Sequence, residues 1–591
     1  LELPRSPSES ATLSGSVIDA DTGLPSPCTV TIVDSSGRTI LESDSLRTGF
    51  RCDGSFKKRL PAGRTRVVVS RGPETRAVER EIELSTGADA AMEIKLERIV
   101  DLRKRGWFAG DSHVHMLHGE RAIPVSFDDV ARAAKAEDLA FLSLAQDWAI
   151  DDPTPEKLSA ELSARSSSTC RLTWNLEAPK NYYQGDATRC LGHCWFVGAR
   201  GRTEGGGDVI RLLAAASAHD YQSEKPTFAN FESHRMIHEQ GGAVFYTHPA
   251  RWWSGAWGGQ GIYPRRENVR VSNMAVELPL DTLIGPTFDG VDVMTTEGEH
   301  EAGELAFKLW CLLVNHGYRM TATASSDACF DRPGGAVPGS VRTYVRLNGD
   351  FSLEAVPQAM ARGAAFATSG PLLLASVESR PPGSVFPADG TARTLEVEAW
   401  ASGTDRKGLT RLELYRNGEL LKTTELSPPV RSLKTSFPIG DSSSAWYCLR
   451  IAGGERRERA VSGAFFFDKD PYRPPKAVLA RVNVELSDAK TGAAIAGEVT
   501  DVFYSATQAR RGTAHSIPRE GAVIEISGEA RLEAVAAGYE AKTLSPFLDH
   551  APLLDFILSL TAEDLVRWET FERVRALLGE VRLTFQLKKR E

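Results

Sequence analysis

His113 and His115 stand two residues apart in "GDSHVHM" (110–116), at the end of a short apolar run. In a strand residues i and i+2 face the same way, so both imidazoles can reach one ion while Val114 points to the opposite side. Groups able to bind metal or handle protons recur at the ends of later apolar runs: Gln146-Asp147-Trp148, Glu177 in "TWNLEAPKN", His193 in "LGHCWFVG", His248 in "FYTHPAR" and Asp327 in "TASSDAC". Singly each is weak evidence, since a strand-end histidine is more often a hydrogen-bonded surface or core residue. Together they are not, because acidic and imidazole groups converging on one face leave unpaired buried charge unless a cation neutralises it.

The elements that must position these groups lie within 101–375, where short apolar strands alternate with amphipathic helices. "LAFLSLA" follows the helical stretch "SFDDVARAAKAED", and "AVFYTHP" follows "NFESHRMIHEQ". That alternation predicts an α/β barrel, in which functional groups stand just after the strands at their C-terminal ends. The flanks read differently. Residues 1–100 show near-alternating β-branched runs and turn residues, as expected of a β-sandwich. Residues 376–472 suggest another, with Asn417-Gly418 as a hairpin turn. Residues 473–591 read as a diverged copy of the first, "DAKTG" (488–492) matching "DADTG" (19–23), with an inserted helix over 562–578.

The central segment resembles the PHP (polymerase and histidinol phosphatase) superfamily of metallohydrolases, and within it the branch named after carbaryl hydrolase (CehA/McbA-like). The resemblance covers about 105–375. It rests on "GDSHVHM", "LSLAQDW", "LEAPKN", "GHCWFVG", "YTHP" and "ASSDAC", and on the later runs "GGAVPGSVRTYVRL" and "MARGAAFATSGPLL". It implies a multidomain chain with a central distorted seven-stranded β/α PHP-like barrel flanked by β-sandwich domains, the first similar to carboxypeptidase-regulatory or transthyretin-like modules. It also implies His113, His115, Glu177 and Asp327 around one metal, with Glu177 bridging to a second held by His193 and His248.

Two departures bear on the family's third metal. Where its second and last motifs carry histidine, this chain has Trp148 and Cys329. Indole offers only an N–H donor and cannot ligate. His118 is the nearest candidate for the remaining third-site ligand, and Cys329 is either a thiolate ligand or a small residue packed beside Asp327. A two-metal centre is therefore expected, with zinc, manganese or iron(II) as the cation. Such a pair lowers the pKa of a bridging water and polarises the oxygen under attack, giving hydrolysis without a protein nucleophile. Asp147 is either the orienting partner of a ligand imidazole or a plain strand end.

Arg251, Trp252 and Trp253 follow His248 directly, and two readings of them stand: a lid beside the metals, or a cover for the barrel. Tyr182 is a further candidate for substrate contact. His234 and His238 read as a solvated helix face. The resemblance implies cleavage of an ester, amide or carbamate. The wider superfamily implies a phosphoesterase, and the loss of two family histidines admits a non-catalytic envelope or glycan-binding protein with a degenerate metal site.

The 591 residues exceed what one core can hold. With 41% hydrophobic and 25% charged residues and a net charge of −8 without a basic stripe, the composition points away from nucleic acid; the hydrolase resemblance implies a small-molecule substrate. No apolar run approaches the ~20 residues of a membrane span. Oligomeric state is not legible. The chain opens at Leu1, so its own start does not give its destination, and the flanking β domains lean towards a periplasmic or extracellular location. Among eight cysteines, Cys28 with Cys52 and Cys170 with Cys190 are candidate disulfides or separate buried thiols.

Overall fold

The computed structural model describes residues 10–42, 48–116, 124–145, 155–175, 177, 191–198, 229–257, 266–272, 274–294, 300–331, 336–454, 458–503 and 510–590, with backbone alone at 155–157, 252–257, 266–272 and 300–302.

The two ends of the chain share one topology. In the N-terminal sandwich the strand Ser10–Asp19 lies between an antiparallel neighbour, Ser55–Pro61, and a parallel one, Asp89–Leu96. In the last domain Leu479–Asp488 lies in the same way between antiparallel Ala522–Ser527 and parallel Val581–Leu587. The facing sheets also run in one order, the third, second, fifth and sixth strands of each domain. Even the first turn is built alike. Asp19 Oδ1 accepts from Asp21 N and Thr22 N at 3.1 and 3.0 Å, and Asp488 Oδ1 from Lys490 N and Thr491 N at 2.9 and 2.8 Å. The added helices Ala551–Leu558, Ala562–Leu565 and Trp568–Leu578 fall between the sixth and seventh strands, where the first copy has a short turn. They begin earlier than the helical spacing at 562 suggests, since Pro552 suits a first helical turn and Leu553, Leu554 and Ile557 bury one face.

In the central domain Trp107–His115, Phe141–Ala145 and Arg171–Asn175 run parallel, and a second sheet holds Cys194–Val197, Ala243–Tyr246, Gly290–Met294 and Thr321–Ala324. Two seams join the sheets. At one, the chain itself crosses: Thr321–Ala324 belongs to the second sheet, and Ala328–Cys329 pairs in parallel with Val114 and His115 of the first. At the other, a side chain takes the place of a ladder, with Asn175 Nδ2 donating to Ser112 O and Asn175 Oδ1 accepting from Phe196 N at 3.0 Å. Among the described residues no continuous backbone ladder closes these strands into one ring.

The first of these sheets does not stop at the expected 375/376 boundary. Ala365–Thr368 pairs antiparallel with Glu458–Ser462, so one twelve-stranded sheet passes from the central domain into the next. Asn417 and Gly418, both with positive φ (50° and 78°), form the two-residue hairpin turn between Leu409–Arg416 and Glu419–Val430. No described helix is long and apolar enough to cross a membrane.

Charged contacts dock the flanking domains. Asp138 receives Arg98, Arg71 and Arg103 at 2.7, 3.0 and 3.5 Å. Beside it the buried Glu74 accepts from Leu102 N at 2.8 Å and from the Tyr344 hydroxyl at 2.9 Å. Burial, reinforced by the Asp138 charge, pushes the Glu74 carboxyl up to about 7. Its folded pKa thus exceeds its unfolded one, so the protonated form favours folding below about 4.5, and that advantage is lost as pH rises through about 7. The Tm of the native chain should fall across this window more steeply than that of Glu74→Gln, a difference that thermal denaturation at several pH values checks. Parallel profiles would count against it.

At the other end Arg531 clamps Glu232 (Nη2 to Oε2 2.8 Å), the residue that caps helix Asn230–His238 through Ala229 N. That helix corrects one expectation. His234 is buried rather than solvated, its Nδ1 within 3.1 Å of both Asp281 Oδ2 and Thr287 Oγ1, and His238 pairs with Asp289 at 2.8 Å. Nothing in the polar stretch around His234 and His238 signals the acids that arrive from residues 281–289.

Candidate metal centre

Six side chains from five segments meet where the two sheets end. His113 and His115 finish the Trp107–His115 strand, Glu177 lies two residues past Arg171–Asn175, and His193 precedes Cys194–Val197. His248 follows Ala243–Tyr246, and Asp327 occupies the crossing between Thr321–Ala324 and Ala328–Cys329. They form two groups, His113, His115, Glu177 and Asp327, and Glu177, His193 and His248, each with its ligand atoms within 4.8 Å of one another. These buried His, Glu and Asp groups could bind a metal ion.

The spacing tests that fit. Ligands of a tetrahedral zinc site, with bonds of about 2.0–2.2 Å, stand about 3.4 Å from one another. In the first group His113 Nε2 and His115 Nε2 are 2.9 Å apart; His113 Nε2 lies 3.5 Å from both Glu177 Oε1 and Asp327 Oδ1; His115 Nε2 lies 3.4 Å from Glu177 Oε2 and 3.2 Å from Asp327 Oδ1. In the second, Glu177 Oε1 is 2.5 Å from His193 Nδ1 and 3.2 Å from His248 Nε2. The separations in the first group lie near such an edge, whereas the 2.5 Å between Glu177 and His193 is a hydrogen-bond distance. Glu177 is common to both groups, its Oε2 facing His115 and its Oε1 facing His193 and His248 as well as His113.

Surrounding side chains fix the ligands. Thr247 Oγ1 lies 3.1 Å from His113 Nδ1, which leaves Nε2 turned to the centre. Asp111, fully buried, accepts from His113 N at 3.3 Å, Ser326 N at 3.1 Å and Gly339 N at 2.6 Å. One carboxylate therefore ties the histidine strand to the Asp327 segment. Its pKa is raised by burial, against the pull of the donors at Ser326, Gly339 and His113. Asp292 lies beneath, taking Trp195 Nε1 at 2.9 Å and Thr323 Oγ1 at 2.8 Å. His248 and Asp327 hold positive φ (30° and 52°), a backbone cost that non-glycine residues bear where the surroundings over-determine it, as at ligand clamps.

Asp327 is poised as an anion. Burial alone would raise its pKa, but His113, the hydrogen bond from His115 and Arg251 together hold it well below the usual carboxylate range. Arg251 Nη1 donates to Asp327 Oδ2 at 2.8 Å, leaving Oδ1 towards the two histidines. Arg251, a candidate for the catalytic machinery in the sequence, is thus engaged with Asp327 of the first group. Cys329 Sγ lies 3.7 Å from the backbone oxygen of Asp327 and belongs to neither group.

Trp252 and Trp253 begin a strand, Trp252–Trp257, antiparallel to Arg266–Ser272. His118, Asp147, Trp148 and Tyr182 lie outside the described residues. Asp111, Thr247 and Asp292 were missed by the strand-end reading. Asp111 and Asp292 carried a signal, each being a lone acid in an otherwise buried strand. Thr247 carried none beyond its place before His248.

No family model matches the chain, and no curated protein matches it. Among solved structures, a β-glucuronidase of Parabacteroides merdae is 11% identical, with 89% of this chain and 73% of that one covered, at a TM-score of 0.17. A β-glucuronidase of Bacteroides uniformis is 9% identical, with 88% and 76% covered, also at 0.17. Scores so low carry no argument about fold or chemistry.

Proposed function

We propose that the chain is a binuclear metal-dependent hydrolase of the PHP kind, with a distorted seven-stranded barrel, acting on an ester, amide or carbamate of a small molecule. The observation that carries this reading is the sharing of Glu177 between two ligand groups of metal-site dimensions. His113, His115 and Asp327 would hold one divalent cation and His193 and His248 the other. Imidazole and carboxylate donors suit zinc, with manganese or iron(II) also compatible. When bound, such a pair supplies hydroxide near neutral pH and polarises the oxygen of the bond under attack.

The protein's own part is positioning. Thr247 sets which nitrogen His113 offers, Asp111 keeps the histidine strand and the Asp327 segment in register, and Arg251 holds the second oxygen of Asp327. His113, His115, Glu177, His193 and His248 are buried and Asp327 is partly so, which limits the competition of bulk water for their lone pairs. The engagement of Arg251 with Asp327 favours a neutral acyl substrate over a phosphoester, which would draw on a cation free to meet it. Export fits the same reading, since small β-sandwiches often accompany envelope enzymes.

Metal analysis of the purified protein, followed by assays on aryl esters, carbamates and phosphodiesters with His113→Ala as control, tests the proposal. We expect bound metal, and acyl hydrolysis that His113→Ala abolishes. A metal-free native protein whose activity matches the control would end the hydrolase reading, and turnover of phosphodiesters alone would move it to the phosphoesterase class.

A further inference from the structure

We infer that Cys28 and Cys52 are a disulfide-forming pair, a covalent modification site set into the face of the N-terminal sandwich that meets the central domain. The inference is independent of the metal centre. Strands Cys28–Val33 and Phe50–Cys52 are antiparallel, and the two cysteines are direct partners in their register. Their sulfurs lie 3.5 Å apart, with Cys28 fully buried and Cys52 8% exposed. Directly opposed residues of antiparallel strands have Cα atoms about 4.5–5.5 Å apart, inside the range a disulfide spans. Closing the bond therefore asks for side-chain rotation, with no movement of either strand.

Residues next to both cysteines are linked to the central domain, Ser26 through Arg71 and Asp53 directly. Ser26, two residues before Cys28, accepts from Arg71 at 3.0 Å, and Arg71 donates also to Asp138 at 3.0 Å. Asp53, next to Cys52, faces Arg132 of helix Phe127–Ala136 at 3.7 Å. The two strand ends that a disulfide would join are thus tied to one helix through Asp53 and to the turn that follows it through Arg71. A covalent link fixes their spacing, and with it the shape of the docking face.

The chemistry runs in one direction. Cys52, 8% exposed where Cys28 is fully buried, is the thiol that a soluble oxidant reaches first. Its thiolate attacks a small-molecule disulfide such as oxidised glutathione and expels one glutathione thiolate. Cys28 then loses its proton and displaces the second glutathione from the mixed disulfide. Two thiols become one disulfide, and the oxidant gains the two electrons and two protons as two glutathione thiols.

The full chain, equilibrated in glutathione buffers from reducing to oxidising, alkylated and digested without reductant, provides the test. We expect a peptide pair linked through Cys28 and Cys52, lighter than the two reduced peptides by about 2 Da. We also expect the thermal transition of the sandwich to rise by about 4 °C or more on oxidation, a rise that Cys28→Ser and Cys52→Ser both lack. Recovery of both cysteines as alkylated thiols in the oxidising buffer, or of either linked to another cysteine, would overturn the inference. The peptide map is made on the native chain, so it decides the question even if a variant does not fold.

Discussion

Glu177→Ala is expected to release metal from both sites at once, whereas His193→Ala releases it from one. The asymmetry follows from the shared carboxylate. Glu177 Oε2 faces His115 at 3.4 Å and Oε1 faces His193 and His248 at 2.5 and 3.2 Å, so its removal takes a donor from each group. His193 touches the second group alone. Loss of a partner that merely orients a ligand already costs about 10–100-fold in affinity, so loss of a ligand should exceed about 100-fold at each site it serves. Metal content after dialysis against a buffered free-metal concentration gives the count directly. Thermal denaturation gives an independent readout: metal at about 1,000 times its Kd stabilises the folded chain by about 4 kcal/mol, and Glu177→Ala should lose nearly all of that gain. A variant that kept both ions would show that Glu177 bridges nothing. Equal losses from Glu177→Ala and His193→Ala would show that the two groups act as a single site.

The strand-end residues were legible because the chemistry itself leaves a pattern. A histidine pair two residues apart, and acids or imidazoles after successive apolar runs, are what several strands contributing to one centre look like when written out in a line. The repeat of the two end domains was legible for a similar reason, since Asp19 and Asp488 must each sit where a side-chain oxygen can take two backbone N–H groups. The features that escaped depend on pairing between distant segments. Nothing near His234 announces Asp281, and nothing near Ala365–Thr368 announces that Glu458–Ser462 will extend its sheet past the domain boundary. Arg251 was legible as a functional cation, but not that its first partner is Asp327. Pairings of this kind are set by tertiary geometry, which single-segment patterns do not encode.

Asn175 is the sharpest case, because in the sequence it is only the last residue of an apolar strand. In the fold it joins two sheets, its amide donating to Ser112 O and its carbonyl accepting from Phe196 N at 3.0 Å. Both backbone groups are buried with it, Ser112 at 1% and Phe196 at 3% exposure. Asn175→Leu keeps the volume and strands one buried donor and one acceptor, at about 1–3 kcal/mol each. A total of about 2–6 kcal/mol is therefore expected, large against the stability of an ordinary domain. The loss should reach the metal centre too. Ser112 adjoins His113, and Glu177 lies two residues beyond Asn175, so a loosened seam frees one ligand from each side. Metal affinity should fall about 10–100-fold, as for other groups that orient ligands. Asn175→Asp separates the two bonds, since it keeps an acceptor for Phe196 N and removes the donor to Ser112 O. Its carboxylate oxygen then faces Ser112 O in a buried seam, so it should lose at least as much stability as Asn175→Leu and weaken metal binding through the His113 side. Chemical denaturation and metal titration of both variants check this, and native affinity in a destabilised Asn175→Leu protein would show that the seam supports the fold without setting the ligands.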